Sequence, residues 1–171
     1  RARTPHGAGV FAGAHRPIDL GPRPLPRLGG GRCVHSAQID TGVVLDHPQL
    51  RGQFNVAKIF VDSKPFPVER HGTAIAGVIA ARSGNGIGSI GVAPGARLIA
   101  LRACYETHTS SAARCTSFSI AKALQYAIEA KAEVINMSLG GPYDRLLERL
   151  IDVAVERGTT VVSAVDVNAF D

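Results

Sequence analysis

The sequence contains no tryptophan and one methionine, and aromatic residues make up only 5% of its 171 positions. Alanine, valine, isoleucine and glycine supply most of the apolar and small residues instead. This composition favours buried parallel strands and closely packed helices over an antiparallel sandwich with one face in water. The chain also lacks an apolar run long enough to cross a bilayer, so we predict no membrane span.

Acidic residues are in the minority, with 14 Asp and Glu against 19 Lys and Arg, which gives a formal net charge of +5. Many arginines lie among Pro and Gly in residues 1–32, without the aromatic or lysine-rich helices that accompany nucleic-acid binding. Scattered charge of this kind is typical of a solvated surface. The sequence therefore predicts no nucleic-acid partner.

Only three cysteines are present, Cys33, Cys104 and Cys115. Cys33 and His35 have the residue types of zinc ligands, but no second pair completes a site, so we predict no bound metal. Cys104 and Cys115 flank a polar segment. Their spacing allows a local disulfide or two reduced thiols, and we expect their α-carbons to lie within about 7 Å.

The organisation of the chain predicts one domain, residues 33–171, after a segment rich in Gly, Pro and Arg at 1–32. That segment has too little apolar surface to order itself, and we interpret it as a linker or propeptide remnant. Alternating patterns predict strands at 34–39, 55–61, 96–103, 133–137 and 159–165, and helices at 71–82, 118–131 and 143–157. This alternation predicts an α/β fold with a parallel sheet covered on both faces, and functional groups at the carboxyl ends of its strands.

Two motifs carry candidate chemistry. Asp40 ends the first core strand in the run Ile-Asp-Thr-Gly, and His71 opens a helix in the run His-Gly-Thr-Ala-Ile-Ala-Gly. Gly72, Ala76 and Gly77 make that helix thin enough to pack tightly. A serine hydrolase needs an imidazole to accept the nucleophile's proton and a buried carboxylate to fix its tautomer. Alone, each residue is more typical of a turn or cap, so their order and context carry the prediction.

A third pattern, from Gly86 to Gly91, matches the G-x-G-x-x-G fingerprint of dinucleotide-binding domains. That fingerprint must follow a strand and open a helix, whereas this one follows the His71 helix. We therefore reject a nucleotide-binding function.

Four segments in this order resemble the subtilisin-like serine protease family: IDTGVVLDHPQL from Ile39, HGTAIAGVIAA from His71, GVAPGARLIALRA from Gly91 and VINMSLGGP from Val134. The resemblance implies a three-layer α/β fold, cut before its C-terminal third, so that residues 33–171 form an incomplete peptidase domain. It also implies a serine endopeptidase that acts on peptide or protein substrates, with Asp40 orienting the general base His71. A secreted or periplasmic location is expected on the same ground, and the oligomeric state is not indicated.

The resemblance also assigns the binding of substrate. Ser138, Leu139 and Gly140 correspond to a segment that pairs with the extended substrate backbone, and residues 114–117 correspond to the opposite edge of that cleft. Gly140 lets another backbone approach closely.

Three departures from the family pattern bear on activity. No serine lies in a Gly-Thr-Ser-x-Ala-x-Pro context, so the nucleophile is expected outside this chain. Asn168 is the candidate oxyanion donor, although alignment on Gly158 shifts the register by one residue and Asp166 lies close by. Gln49 stands where an acidic calcium ligand is common, and we predict no cofactor. The alternative function is a noncatalytic peptide-binding module.

Overall fold

The structure, a computed structural model, describes residues 34–61, 69–107 and 110–164. The predicted linker at 1–32 and Cys33 lie outside these residues. The elements in chain order are β1 (His35–Asp40), β2 (Phe54–Ile59), α1 (Arg70–Ala80), β3 (Arg97–Arg102), β4 (Cys104–Thr107), β5 (Ser110–Cys115), α2 (Ser117–Glu129), β6 (Val134–Met137), α3 (Arg145–Glu156) and β7 (Thr160–Ser163).

Within the described residues the main sheet has five strands in the order β2-β3-β1-β6-β7, and each of these pairings is parallel. This arrangement confirms the predicted α/β fold. Because β1 is the central strand, the residue at its carboxyl end, Asp40, lies in the middle of one sheet edge. That edge is where functional groups gather in parallel sheets.

The sheet is covered on both faces, since two separate apolar clusters form its core. Ile39 and Leu101 pack on one face with Leu124 of α2, in a cluster that also includes α3. Ala100 packs on the other face in a cluster with Ala76 of α1. Among the described helices, α1 therefore forms one outer layer, and α2 and α3 form the other.

The helices begin and end close to the predicted positions. Helix α3 begins at Arg145 because Asp144 caps it, with its Oδ1 accepting from the N–H groups of Leu146 at 2.8 Å and Leu147 at 3.2 Å. It ends before Gly158, whose φ of +85° suits a residue without a Cβ. Among the described residues, no helix combines the length and the apolar character needed to cross a membrane.

The hairpin of β4 and β5 was not predicted. It pairs Cys104 with Cys115 in antiparallel register, and the two cysteines form a disulfide with α-carbons 4.3 Å apart. The polar sequence between them has no alternation of apolar residues that would predict strands. Of the two states that the sequence allowed, the structure has the bridged one.

The glycine-rich run from Gly86 to Gly91 lies in the loop between α1 and β3. It follows a helix and precedes a strand, the reverse of the order in a dinucleotide-binding turn. The structure confirms this reason for rejecting a nucleotide-binding function.

Candidate functional site

Asp40 and His71 lie together at the carboxyl edge of the sheet. The Nδ1 atom of His71 is 2.7 Å from Oδ1 of Asp40, which is within hydrogen-bond distance. The Asp40 side chain is 1% exposed, whereas that of His71 is 42% exposed. A buried carboxylate thus holds one ring nitrogen of an imidazole that remains accessible to solvent.

The turn after β1 ties this strand to the first turn of α1. The N–H of Gly72 donates to Thr41 Oγ1 at 2.9 Å, and the backbone N–H of Thr41 donates to Asp40 Oδ1 at 2.6 Å. From the strand, Gln38 Nε2 donates to the carbonyl oxygen of Gly72 at 2.7 Å. Both backbone groups of Gly72 are therefore fixed to residues within two positions of Asp40.

Close packing of α1 depends on Gly72 but not on Gly77, although both glycines were predicted to permit it. A Cβ at Gly72 would lie 2.6 Å from the Thr41 carbonyl oxygen and 2.8 Å from that of Gly42. Ala76 is also buried, as predicted. A Cβ at Gly77 would meet no described atom within 4 Å, so the prediction that Gly77 serves tight packing was wrong for this part of the chain.

A second carboxylate, Glu69, lies behind the pair and was not predicted from the sequence. It is the N-cap residue of α1, but its side chain does not cap the helix and turns towards other segments. Its oxygens accept from the backbone N–H groups of Gly42 and Glu106. They also accept from two nitrogens of the Arg102 guanidinium, and each of these two hydrogen bonds is 2.8 Å long. Burial raises the pKa of Glu69, but these hydrogen bonds and the guanidinium charge of Arg102 more than offset it, so the pKa is lowered.

Glu106 of β4 supplies the cap that Glu69 does not. Its Oε1 accepts from the backbone N–H of His71 at 2.6 Å. The free N–H groups at the start of a helix need such acceptors, and the partial positive charge there favours a carboxylate. The backbone of His71 is thus held from β4 while its ring is held from β1.

The predicted substrate-binding residues follow β6, the neighbour of β1. Ser138 and Leu139 are half-buried, and Gly140 is exposed. Asn136 of β6 pairs in register with Gln38 of β1. Ser138 lies two residues after Asn136, and Asp40 lies two residues after Gln38, so both reach the same sheet edge. A Cβ at Gly140 would meet no described atom within 4 Å, which leaves room beside this backbone.

Two further predictions concern residues 114–117 and Asn168. Residues 114–117, the predicted opposite edge of the cleft, form the end of β5, the cap Thr116 and the start of α2. Asn168, the candidate oxyanion donor, lies outside the described residues.

The contacts of Gln49 indicate whether the loop after α1 can bind a calcium ion. Its Nε2 atom donates to the carbonyl oxygens of Ile87 and Ser89, both at 2.7 Å. These oxygens therefore face an amide donor, and residues 83–89 contain no carboxylate. Calcium requires six to eight oxygen ligands, usually with carboxylates among them. The described groups do not fit this ion.

The Gln49 contacts predict a measurable contribution to stability. We expect Gln49→Ala to lower the free energy of unfolding by about 1–2 kcal/mol, because two hydrogen bonds that hold the loop are lost. Gln125→Ala is the control, since Gln125 donates to Glu129 on the exposed surface of α2. Urea unfolding measures both variants. Equal midpoints would show that the Gln49 contacts do not hold the loop.

Comparison with known proteins gives the same residues a wider context. The model of the subtilase family matches residues 34–166. A thermophilic serine proteinase of Bacillus sp. (strain AK1) is 39% identical over 131 residues, which are 75% of this chain and 31% of that protein. The major intracellular serine protease of Bacillus subtilis (strain 168) is 36% identical over 141 residues, 78% of this chain and 43% of that protein.

The solved structure of fervidolysin from Fervidobacterium pennivorans, a keratinolytic enzyme related to subtilisin, has a similar fold. It superposes with a TM-score of 0.62 at 28% identity, over 76% of this chain and 21% of that one. The chain thus spans less than half the length of each of these three proteins.

Proposed function

The chain belongs to the subtilase family, and from this premise we propose that it supplies the aspartate and histidine of a serine-type endopeptidase. The nucleophilic serine is assigned to a part of the protein outside this chain. Asp40 is the orienting carboxylate and His71 the general base.

The observation that carries the proposal is the contact between a buried carboxylate and an accessible imidazole. Asp40 Oδ1 lies 2.7 Å from His71 Nδ1, so the proton on that nitrogen is held by the carboxylate. The lone pair is then on Nε2, where a base must have it to accept the proton of a serine hydroxyl. Histidine suits this task because its ordinary pKa is close to neutral pH.

The reaction proceeds through an acyl-enzyme. The serine oxygen attacks the peptide carbonyl carbon while its proton passes to His71 Nε2, and His71 then gives that proton to the leaving amine. Water attacks the ester in the second half, with His71 again as the base, and the serine recovers its proton. Asp40 stabilises the imidazolium that forms in each half.

Ser138, Leu139 and Gly140 are proposed to bind the substrate backbone as an added strand. The open space beside Gly140 and the position of this segment at the same sheet edge as Asp40 support the assignment. Asn168 is the proposed donor to the oxyanion, on the strength of its position in the sequence.

A secreted or periplasmic location is proposed for the protein. The disulfide between Cys104 and Cys115 supports it, because such bonds persist in oxidising compartments. One relative is named an intracellular protease, so the family alone does not decide the compartment.

The test is hydrolysis of casein by the full-length protein, meaning the natural polypeptide that contains this chain. We expect cleavage that a serine-directed inhibitor abolishes, and no cleavage by the 171-residue chain alone, because a base without its nucleophile performs no acyl transfer. Inhibitor-sensitive cleavage by the 171-residue chain would contradict the position assigned to the serine. Peptide binding without cleavage by the full-length protein would favour the noncatalytic module.

A further inference from the structure

Glu69 joins three segments around the Asp40–His71 pair. Its side chain is 5% exposed, and its carboxylate accepts from the turn after β1 through the Gly42 N–H, from the end of β3 through Arg102, and from β4 through the Glu106 N–H. Its own backbone is the N-cap of α1, two residues before His71. One buried residue thus connects the turn after β1, the end of β3, β4 and the start of α1.

The connection to His71 passes through Glu106. The backbone N–H of Glu106 donates to Glu69 Oε1 at 3.0 Å, and the Glu106 carboxylate accepts from the His71 backbone N–H at 2.6 Å. A shift of Glu69 would therefore move the group that caps α1 at His71. It would also release the Gly42 N–H, which lies two residues after Asp40.

The negative charge of Glu69 also affects the Asp40–His71 pair, through Arg102. Arg102 is the register partner of Asp40 on the adjacent parallel strand, and both side chains are buried on the α1 face. Glu69 binds the Arg102 guanidinium through two nitrogens, at 2.8 Å each. It thereby balances a buried cation next to the carboxylate that must remain available to His71.

We propose that Glu69 is a positioning residue for catalysis, which holds the Asp40 turn and the His71 helix in their working relation. This inference rests on the proposed function. It differs from a purely structural role, in which Glu69 only neutralises Arg102. The two roles predict different results for a variant in which both Glu69 and Arg102 are substituted.

The experiment compares Glu69→Gln, the double variant Glu69→Gln/Arg102→Met and the control Glu129→Gln in the full-length protein. Glu129 is an exposed glutamate of α2 that accepts from Gln125, so its substitution removes one surface charge of the same type. Thermal unfolding, kcat and KM on one peptide substrate are measured for each variant.

We expect Glu69→Gln to lower kcat by about 10–100-fold while KM changes by less than about threefold, since misplacement of a catalytic group affects the transition state most. The control should remain within about twofold of the wild type in kcat, as expected for a surface change. The double variant should regain thermal stability, because the buried charge that Glu69 balances is removed together with the carboxylate. Its kcat should remain low, because the Gly42 and Glu106 N–H groups still lack their carboxylate.

Recovery of kcat together with stability in the double variant would overturn the proposal, as would a normal kcat in Glu69→Gln. If the wild-type protein hydrolyses no peptide, the proposed function fails. The positioning role of Glu69 is then tested by NMR. Because His71 Nδ1 lies 2.7 Å from Asp40 Oδ1, we expect the proton between them to give a strongly downfield resonance. We expect that resonance to shift or vanish in Glu69→Gln and to stay in Glu129→Gln, and an unchanged resonance in both would overturn the positioning role.

Discussion

His71→Ala is expected to reduce peptide turnover by the full-length protein to near background, whereas Asn168→Ala should retain measurable activity. The reason is that Asp40 and His71 act as one proton-transfer unit, in contact at 2.7 Å. Removal of the base can abolish nearly all the catalysis that such a unit provides. Loss of one oxyanion donor typically lowers turnover by about 10²–10³-fold, which a sensitive assay still detects.

The measurement is kcat for the two variants, with circular dichroism to show that both are folded. If Asn168→Ala is as inactive as His71→Ala, Asn168 carries the oxyanion site alone, in spite of the irregular sequence around it. If His71→Ala keeps most of its activity, the serine protease mechanism is wrong. Gln125→Ala, an exposed change on α2, serves as the unaffected reference.

The central pair could be predicted from the sequence because short motifs carry it. Asp40 directly follows an apolar strand run, and His71 opens a helix of small residues, so each lies at a boundary that local patterns reveal. The parallel sheet followed from the same alternation of strands and helices. Their meeting across a separation of 31 positions was inferred from the resemblance, and the structure brings them within hydrogen-bond distance.

The carboxylates behind the pair could not be predicted in the same way. Glu106 occurs in a polar stretch and Glu69 lies just before the His71 helix, two places where a glutamate is usually exposed. Several of their partners are backbone N–H groups, which the residue types in the sequence do not reveal. Arg102 did carry a signal, since it ends the apolar run of β3. A charged residue inside a buried strand requires a partner, and a search for that partner leads to Glu69.

The β4–β5 hairpin was missed for a related reason. Its strands are held by antiparallel pairing and by the Cys104–Cys115 disulfide, and neither depends on apolar alternation along the sequence. Its effect on the site is nevertheless direct, because β4 carries Glu106. The disulfide thus closes the hairpin that supplies the cap for the His71 helix.

Gly72→Ala is expected to displace α1 from the Asp40 turn and so to impair both stability and turnover. The new Cβ would lie 2.6 Å and 2.8 Å from the carbonyl oxygens of Thr41 and Gly42, and these backbone atoms belong to a turn fixed by several hydrogen bonds. Overpacking of this kind lowers the free energy of unfolding by about 1–3 kcal/mol. A displacement of about 1 Å between Asp40 and His71 can lower kcat by about 10²-fold.

Gly77→Ala provides the matched control for this prediction, because it makes the same change five residues later in the same helix. Its Cβ meets no described atom within 4 Å, so the helix propensity of alanine should leave stability unchanged or raise it by up to about 1 kcal/mol. Urea unfolding and kcat are measured for both variants of the full-length protein. Equal behaviour of the two would contradict the close approach at Gly72. A loss of stability at Gly72 without any loss of kcat would show that the Asp40–His71 contact survives a shift of the helix.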